Sequence, residues 1–290
     1  MSLDCRYKVF ATDLDDTLHR NDRTVAEYDM KMLQKLQEAG VDVVFCSGRS
    51  CYDVALKFAK YGLRTGNCFA IGSCGCEIAS VENGEVIHCI SLSDEAINIV
   101  IEYCEKNEYC IELFYKGKYV VSTKNNDVHM RHIESSTLQS LIVNYDEMKK
   151  LCAEEHPRKL LISETVELVS KKIFPEMNAL IPKDSRLAVY LPFCCEVLPA
   201  KGTKSDALQW LCSERLKCKM DEVVSIGDGE NDVQMLRDCG LSFAPSNSCD
   251  EAKKAAKRVL SWSNMECCVG RVINEIFFEG KYPIEASEDA

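Results

Sequence analysis

The sequence predicts an α/β fold, a doubly wound parallel sheet interrupted by a separate α+β segment. Three observations predict it. Short apolar runs alternate with helical spacings near the start of the chain, and the same alternation resumes from Gly202. Between them lie alternating strands and a hairpin signal. Residues 1–82 and 193–290 are therefore assigned to one domain, and 83–192 to an insert of the kind that loop sites tolerate.

The elements follow in order. Residues 7–12 are an apolar run that stops at acidic residues, as a buried parallel strand does. Residues 25–40 place Tyr28, Met32, Leu33 and Leu36 at helical spacing, with Gly40 suited to the C-cap. Residues 41–46 form a second strand, 50–61 a second helix and 68–71 a third strand. In the insert, Ser93 opens a helix to Lys106 with Ala96, Ile97, Val100, Ile101 and Cys104 on one face. Residues 111–122 alternate and turn at Lys116-Gly117-Lys118, a hairpin. Residues 159–162 and 187–191 are further strands. The α/β pattern then returns as a helix over 204–216, a strand over 222–226 ending at Gly227-Asp228, a helix over 232–239 closed by Gly240, and a strand over 241–244.

Composition narrows the function classes. The 290 residues suffice for one large domain or two ordinary ones. Hydrophobic residues make up 46% and charged residues 28%, as in ordinary globular proteins. A formal charge of −11 disfavours nucleic acid and anionic membrane as partners. No apolar stretch has membrane-spanning length, and the start of the chain has no signal-peptide core. The final residues, 285–290, read as a frayed tail. The 18 cysteines include no C-x-x-C pair, and only His129-x-x-His132 approaches zinc-ligand spacing. Most read as thiols in a reducing cytosol, which places the protein in the cytoplasm. A monomer or weak homo-oligomer is expected.

Four features lie at strand ends or on the helix after one, where open α/β sheets bind ligands. Asp13 and Asp15 put two carboxylates at the first strand end, one able to attack phosphorus and the other to move a proton. Ser47 and Gly48, with Arg49, offer a hydroxyl and backbone N–H groups to a phosphate at a strand-to-helix turn. Lys204 opens a helix, where a positive charge opposes the helix dipole unless an anion is near. Asp228, Glu230 and Asp232, with Asn231 among them, crowd acids at a strand end and call for a cation. Oxygen-only ligands with an open side favour Mg²⁺. Singly, each has a bland alternative in a turn, a helix cap, a surface lysine or a solvated acidic loop. Jointly, they supply the positioning and charge stabilisation that phosphoryl transfer needs.

These residues carry a known pattern. Phe10-Ala11-Thr12-Asp13-Leu14-Asp15-Asp16-Thr17-Leu18, Cys46-Ser47-Gly48-Arg49, Lys204-Ser205-Asp206-Ala207-Leu208 and Ile226-Gly227-Asp228-Gly229-Glu230-Asn231-Asp232-Val233-Gln234-Met235-Leu236 occur in that order. With them the chain resembles the haloacid dehalogenase-like phosphatases, and among these the Cof-type group, which has a Rossmann-like core and an α/β cap. The resemblance implies that Asp13 forms an aspartyl-phosphate and that Asp15 protonates the leaving oxygen and then activates water. It implies that Mg²⁺ is held by Asp13, the Asp15 main-chain carbonyl and Asp228, with Asp232 in support. Ser47, Gly48, Lys204 and Asn231 would contact phosphate or substrate, and the insert would be the cap. Three positions depart from the pattern: Asp16 where glycine is frequent, Ser47 for threonine, and Cys74 for asparagine.

The function expected is hydrolysis of small phosphorylated metabolites, sugar phosphates foremost. A phosphomutase, a non-catalytic binding protein and a thiol-dependent redox protein are the rival readings.

Overall fold

The computed structural model describes residues 6–59, 61–63, 66–116, 119–135 and 138–284. The tail at 285–290 and the turn residues Gly117 and Lys118 lie outside the described residues, as does the side chain of His132. The chain divides into two compact units, 1–87 with 203–290, and 88–202.

The first unit begins with β1 (Val9–Asp13), α1 (Glu27–Glu38), β2 (Asp42–Cys46), α2 (Cys51–Ala59) and β3 (Cys68–Gly72), followed by β4 (Glu77–Ser80) and the start of β5 (Val86–Cys89), which crosses the boundary at 87. The second unit contains α3 (Asp94–Asn107), β6 (Cys110–Tyr115), β7 (Tyr119–Ser122), α4 (Asp127–Ser135), β8 (Gln139–Ile142), α5 (Tyr145–Glu154), β9 (Leu160–Ser163), α6 (Val166–Leu168), α7 (Phe174–Leu180), β10 (Ser185–Leu191) and β11 (Cys194–Pro199). The chain then returns as α8 (Lys204–Trp210), β12 (Val223–Ile226), α9 (Val233–Asp238), β13 (Leu241–Ala244), α10 (Asp250–Ala255), β14 (Arg258–Val259) and α11 (Cys268–Phe278).

The core sheet has the order β14-β13-β12-β1-β2-β3-β4-β5. Strands β14 to β3 pair in parallel, and β4 joins β3 antiparallel. Successive side chains take opposite faces. Phe10, Val43, Phe45 and Ile226 pack with α1 and α11, while Val9, Ala11, Val44 and Ile71 pack with Ala207 and Leu208 of α8 and Met235 of α9. Both faces are therefore buried, which is why these strands read as unbroken apolar runs rather than alternating ones.

The second sheet has the order β10-β11-β9-β6-β7-β8. One face, with Ile111, Leu113, Val121, Leu160, Ile162 and Val197, packs against α3, α5 and α7. The compact unit runs to 202, beyond the 192 expected. The reason is β11, which pairs antiparallel with both β9 and β10 and so belongs to the insert's sheet.

Most of the described thiols are buried. Of the described cysteines, Cys89 is exposed and Cys249 half-buried, and the others are buried. Burial pushes Cys152, Cys195 and Cys239 up to about 12, so they stay protonated at neutral pH and are poor nucleophiles. No helix among the described residues is long and apolar enough to cross a membrane.

One buried acid makes the fold pH-sensitive. Asp29 of α1 is 1% exposed, and its Oδ1 accepts the Gly270 N–H of α11 at 2.6 Å. Burial, opposed by that bond, pushes its carboxyl from 3.8 up to about 7. The folded state thus binds the proton more tightly than the unfolded one. This stabilising effect is full below 3.8 and is lost as pH rises through about 7. The total is at most about 4 kcal/mol. Asp29→Asn keeps the acceptor and removes the titration. Its Tm relative to wild type is expected to rise by several degrees between pH 4 and pH 8 in thermal melts, and a constant offset would refute the assignment.

Candidate active site

Parallel register brings distant motifs to one edge. Asp13 closes β1 opposite Cys46, so Ser47 lies one residue beyond on β2. Thr12 sits opposite Ile226, so Gly227-Asp228 leaves β12 beside Asp13. Past Asp13 the chain breaks. Asp15 is extended (φ −72°, ψ 129°), Asp16 is left-handed (φ 61°, ψ 8°), and the His19 N–H donates to the Leu14 carbonyl at 2.7 Å. The left-handed conformation explains the preference for glycine at position 16, and aspartate is among the side chains that tolerate it. Cys74 is also left-handed (φ 60°), a conformation asparagine adopts readily.

At the centre is a buried charge cluster. The Lys204 ammonium, 0% exposed, donates to Asp13 Oδ1 and, at 2.7 Å, to Asp232 Oδ1. Burial alone would lower the lysine, but the carboxylates of Asp13 and Asp232 hold it well above its usual value, so it is charged. Asp13 is pushed up by burial and by neighbouring Asp232 and Asp228, against the attraction of Lys204. Its Oδ2 makes no hydrogen bond among the described residues. Asp232 Oδ2 accepts the N–H groups of Asp228 (3.1 Å) and Gly229 (3.0 Å), folding the acidic loop around itself. Gly227 permits this, since a Cβ there would lie 2.5 Å from the Asp232 carboxyl carbon.

Asp13, Asp228 and Asp232 bring carboxylate oxygens within 4.8 Å of one another. Burial and Asp232 raise Asp228 to about 6, although the Thr17 hydroxyl donates to its Oδ1 at 2.6 Å. This cluster carries more negative charge than Lys204 neutralises, and its donors are all oxygen. Those are the properties of a hard divalent-cation site. Asp232 already spends both oxygens on Lys204 and the loop, so it fits an indirect, supporting role.

Asp15 stands apart from this trio, of which Asp13 and Asp232 are buried and Asp228 is partly buried. Its carboxylate is about half exposed and is forked by Arg49, whose Nε and second terminal nitrogen lie 2.9 Å from Oδ2 and Oδ1. His19 Nδ1 is 3.1 Å from Oδ1. Burial would raise the acid, but the bonds from His19 and Arg49 hold it well below the usual carboxylate range. Arg49 in turn reaches Asp53 at 3.5 Å. The motifs contain Thr17 and Arg49 but give neither side chain a contact with the acids, and His19 lies just outside them. No helical spacing marks these contacts, because Asp15 and Asp16 are not helical and Arg49 precedes α2.

Ser47 is buried, and its Oγ accepts the Arg49 N–H at 3.1 Å, forming the turn at the end of β2. A Cβ on Gly48 would meet only Cys74 Sγ at 3.5 Å, so no close contact requires glycine there. The side-chain amide of Asn231 makes no hydrogen bond among the described residues, which leaves it available to a ligand. Lys204 is placed by Thr203, whose Oγ1 caps α8 by accepting the Asp206 N–H at 3.1 Å. It is also placed by Gly75, which sits at φ 110°, where a Cβ would lie 2.1 Å from the Thr203 carbonyl.

Known proteins resemble the chain in sequence and in fold. The HMP-PP phosphatase of Yersinia pseudotuberculosis is 24% identical over 248 residues, covering 86% of this chain and 87% of that protein. The crystal structure of TM0651 from Thermotoga maritima superposes with a TM-score of 0.79 at 27% identity, covering 93% of this chain and 97% of that one. The sugar phosphatase BT4131, of HAD subclass IIB, shares the fold with a TM-score of 0.76 at 18% identity, covering 92% and 98%. The family model for haloacid dehalogenase-like hydrolases matches residues 10–273, from β1 through the insert into α11. With one family spanning both halves of the split core, this chain belongs to the haloacid dehalogenase-like hydrolases.

Proposed function

We propose that the protein is a Mg²⁺-dependent phosphomonoester hydrolase that works through an aspartyl-phosphate on small phosphorylated metabolites, sugar phosphates foremost. The observation that carries this reading is the buried Asp13, with one oxygen on Lys204 and the other unengaged beside Asp228. The phosphatase names of the Yersinia relative and of BT4131 support the reaction class, and the latter supports a sugar phosphate.

In this mechanism Asp13 Oδ2 attacks phosphorus, and the ester oxygen leaves with a proton. Water then attacks the acyl phosphate and releases inorganic phosphate and Asp13. Lys204, Ser47 and Asn231 neutralise and hold phosphoryl oxygens. Asp13, Asp228 and the Asp15 carbonyl would hold Mg²⁺, with Asp232 behind them, and the ion would supply charge neutralisation to the phosphoryl group. Asp15, kept ionised by Arg49 and His19, is set up as the base that activates water. To protonate the leaving oxygen first, it must be released from the Arg49 fork, for whose guanidinium an anionic substrate competes, and take up a proton from solvent; it gives that proton to the leaving oxygen and regains one from the attacking water in the second step. The unit 88–202 is assigned the choice of leaving group, as a cap. The thiol-rich composition supports a cytoplasmic setting, and a monomer or weak homo-oligomer suffices.

Phosphate release from a panel of sugar phosphates tests the reading. Excess EDTA is expected to abolish release and Mg²⁺ to restore it, and unchanged turnover in EDTA would refute the cation. Isomerised hexose phosphate without free phosphate would mark a mutase instead. Gly75→Ala probes the placement of Lys204. The added methyl group must displace the start of α8, and a shift of about 1 Å lowers kcat by about a hundredfold. Circular dichroism should stay near wild type, and an unaffected kcat would remove Gly75 from the account.

A further inference from the structure

The second unit contains a serine–histidine–glutamate relay that the phosphatase reading does not use. Glu112 on β6 and His129 on α4 are both 0% exposed. His129 Nδ1 lies 2.7 Å from Glu112 Oε2, and its Nε2 lies 2.9 Å from Ser140 Oγ on β8. The Asn126 carboxamide oxygen accepts the His129 N–H at 2.9 Å, which fixes the first turn of the helix. A carboxylate can only accept, so in the neutral ring Nδ1–H donates to Glu112 and Nε2 accepts the Ser140 hydroxyl. That is the tautomer in which a base can take the serine proton. Ser140 itself is exposed. It lies on the terminal strand of its sheet, where alternate backbone N–H groups point away from β7 and can serve an oxyanion. The buried acid and base beside the hydroxyl of an exposed residue match the division of labour in serine hydrolases: orienter, base and nucleophile.

We propose that Ser140, His129 and Glu112 form a second, nucleophilic-serine centre that hydrolyses small carboxylic esters, independently of the Asp13 site. Ser140 Oγ bonds to the acyl carbon while its proton passes to His129 Nε2. The ester C–O bond breaks, and His129 returns the proton to the departing alcohol. Water, deprotonated by His129, then cleaves the acyl-serine to a carboxylic acid and regenerates the hydroxyl. A purely structural histidine, tying α4 to the sheet, would keep the same bonds without this reactivity.

The test uses the full-length Asp13→Asn protein, so that the phosphate site contributes no chemistry, with 4-nitrophenyl acetate as substrate and a fluorophosphonate as covalent probe. A probe adduct is expected on the peptide containing Ser140, together with an initial burst of nitrophenol. Adding Ser140→Ala, which leaves the buried His129–Glu112 pair in place, should remove the adduct and slow ester hydrolysis by about a hundredfold or more. Glu112→Gln should slow it while leaving Ser140 in position. An unlabelled Ser140 in the folded parent, or equal rates with and without the Ser140 hydroxyl, would overturn the proposal. Neither result bears on phosphate release at Asp13.

Discussion

Asp13→Asn is expected to yield a folded protein whose phosphate release falls by about 10⁴-fold or more, the scale of loss when a covalent nucleophile is removed. An amide oxygen is a poor nucleophile toward phosphorus, and nothing else in the buried cluster can replace it. Lys204 is a cation, and both oxygens of Asp232 are engaged. Asp228 has one oxygen on Thr17. The fold should survive. In the wild type, burial and two adjacent carboxylates already oppose the charge on Asp13, so a neutral isostere relieves repulsion. The side-chain oxygen of asparagine can still accept from Lys204. Two measurements check this: steady-state phosphate release with a sugar phosphate, and a thermal melt without Mg²⁺, where the variant should match or exceed wild type. Activity within tenfold of wild type would reject Asp13 as the nucleophile.

The second large effect falls on both stability and activity. Lys204→Met removes the ammonium between two buried carboxylates, Asp13 and Asp232. Breaking one side of a buried ion pair costs about 3–5 kcal/mol, because the partner charge is left unpaired. The Tm should therefore drop strongly, and phosphate release should fall by at least about 10²–10³-fold through loss of a preorganised positive charge. Because the penalty lies in the orphaned acids, it should be partly reversible. Adding Asp13→Asn to Lys204→Met should recover part of the lost stability, a coupling that a double-mutant cycle reads directly. Mg²⁺ should also raise the Tm of Lys204→Met if the acids bind it. Additive losses in the cycle would show that Lys204 does not stabilise the fold through Asp13.

The sequence alone determined the strand and helix order of the core, because its periodicities are local. β1, α1, β2, α2 and β3 stand where the apolar spacing put them, and Asp13, Ser47, Asp228 and Lys204 sit at strand ends or at the opening of a helix, as their motifs required. Lys204 at a helix start, where its charge is locally unfavourable, already signalled a nearby anion. Tertiary structure alone decided which anions those are. The partners lie 191 residues before it and 28 after it, and only the register of β1 against β12 and the close approach permitted by Gly75 bring them together. The same holds for Asp15, whose clamp by Arg49 depends on β1 and β2 lying side by side. It holds for β11 as well, whose membership in the insert's sheet is set by pairing rather than composition. It holds most clearly for His129, which the sequence marks only by the spacing His129-x-x-His132. The fold buries it against Glu112 and aims it at Ser140, because strands β6, β7 and β8 pair side by side beneath α4. Local spacing encodes elements, whereas contacts between elements depend on register and packing that no single segment contains.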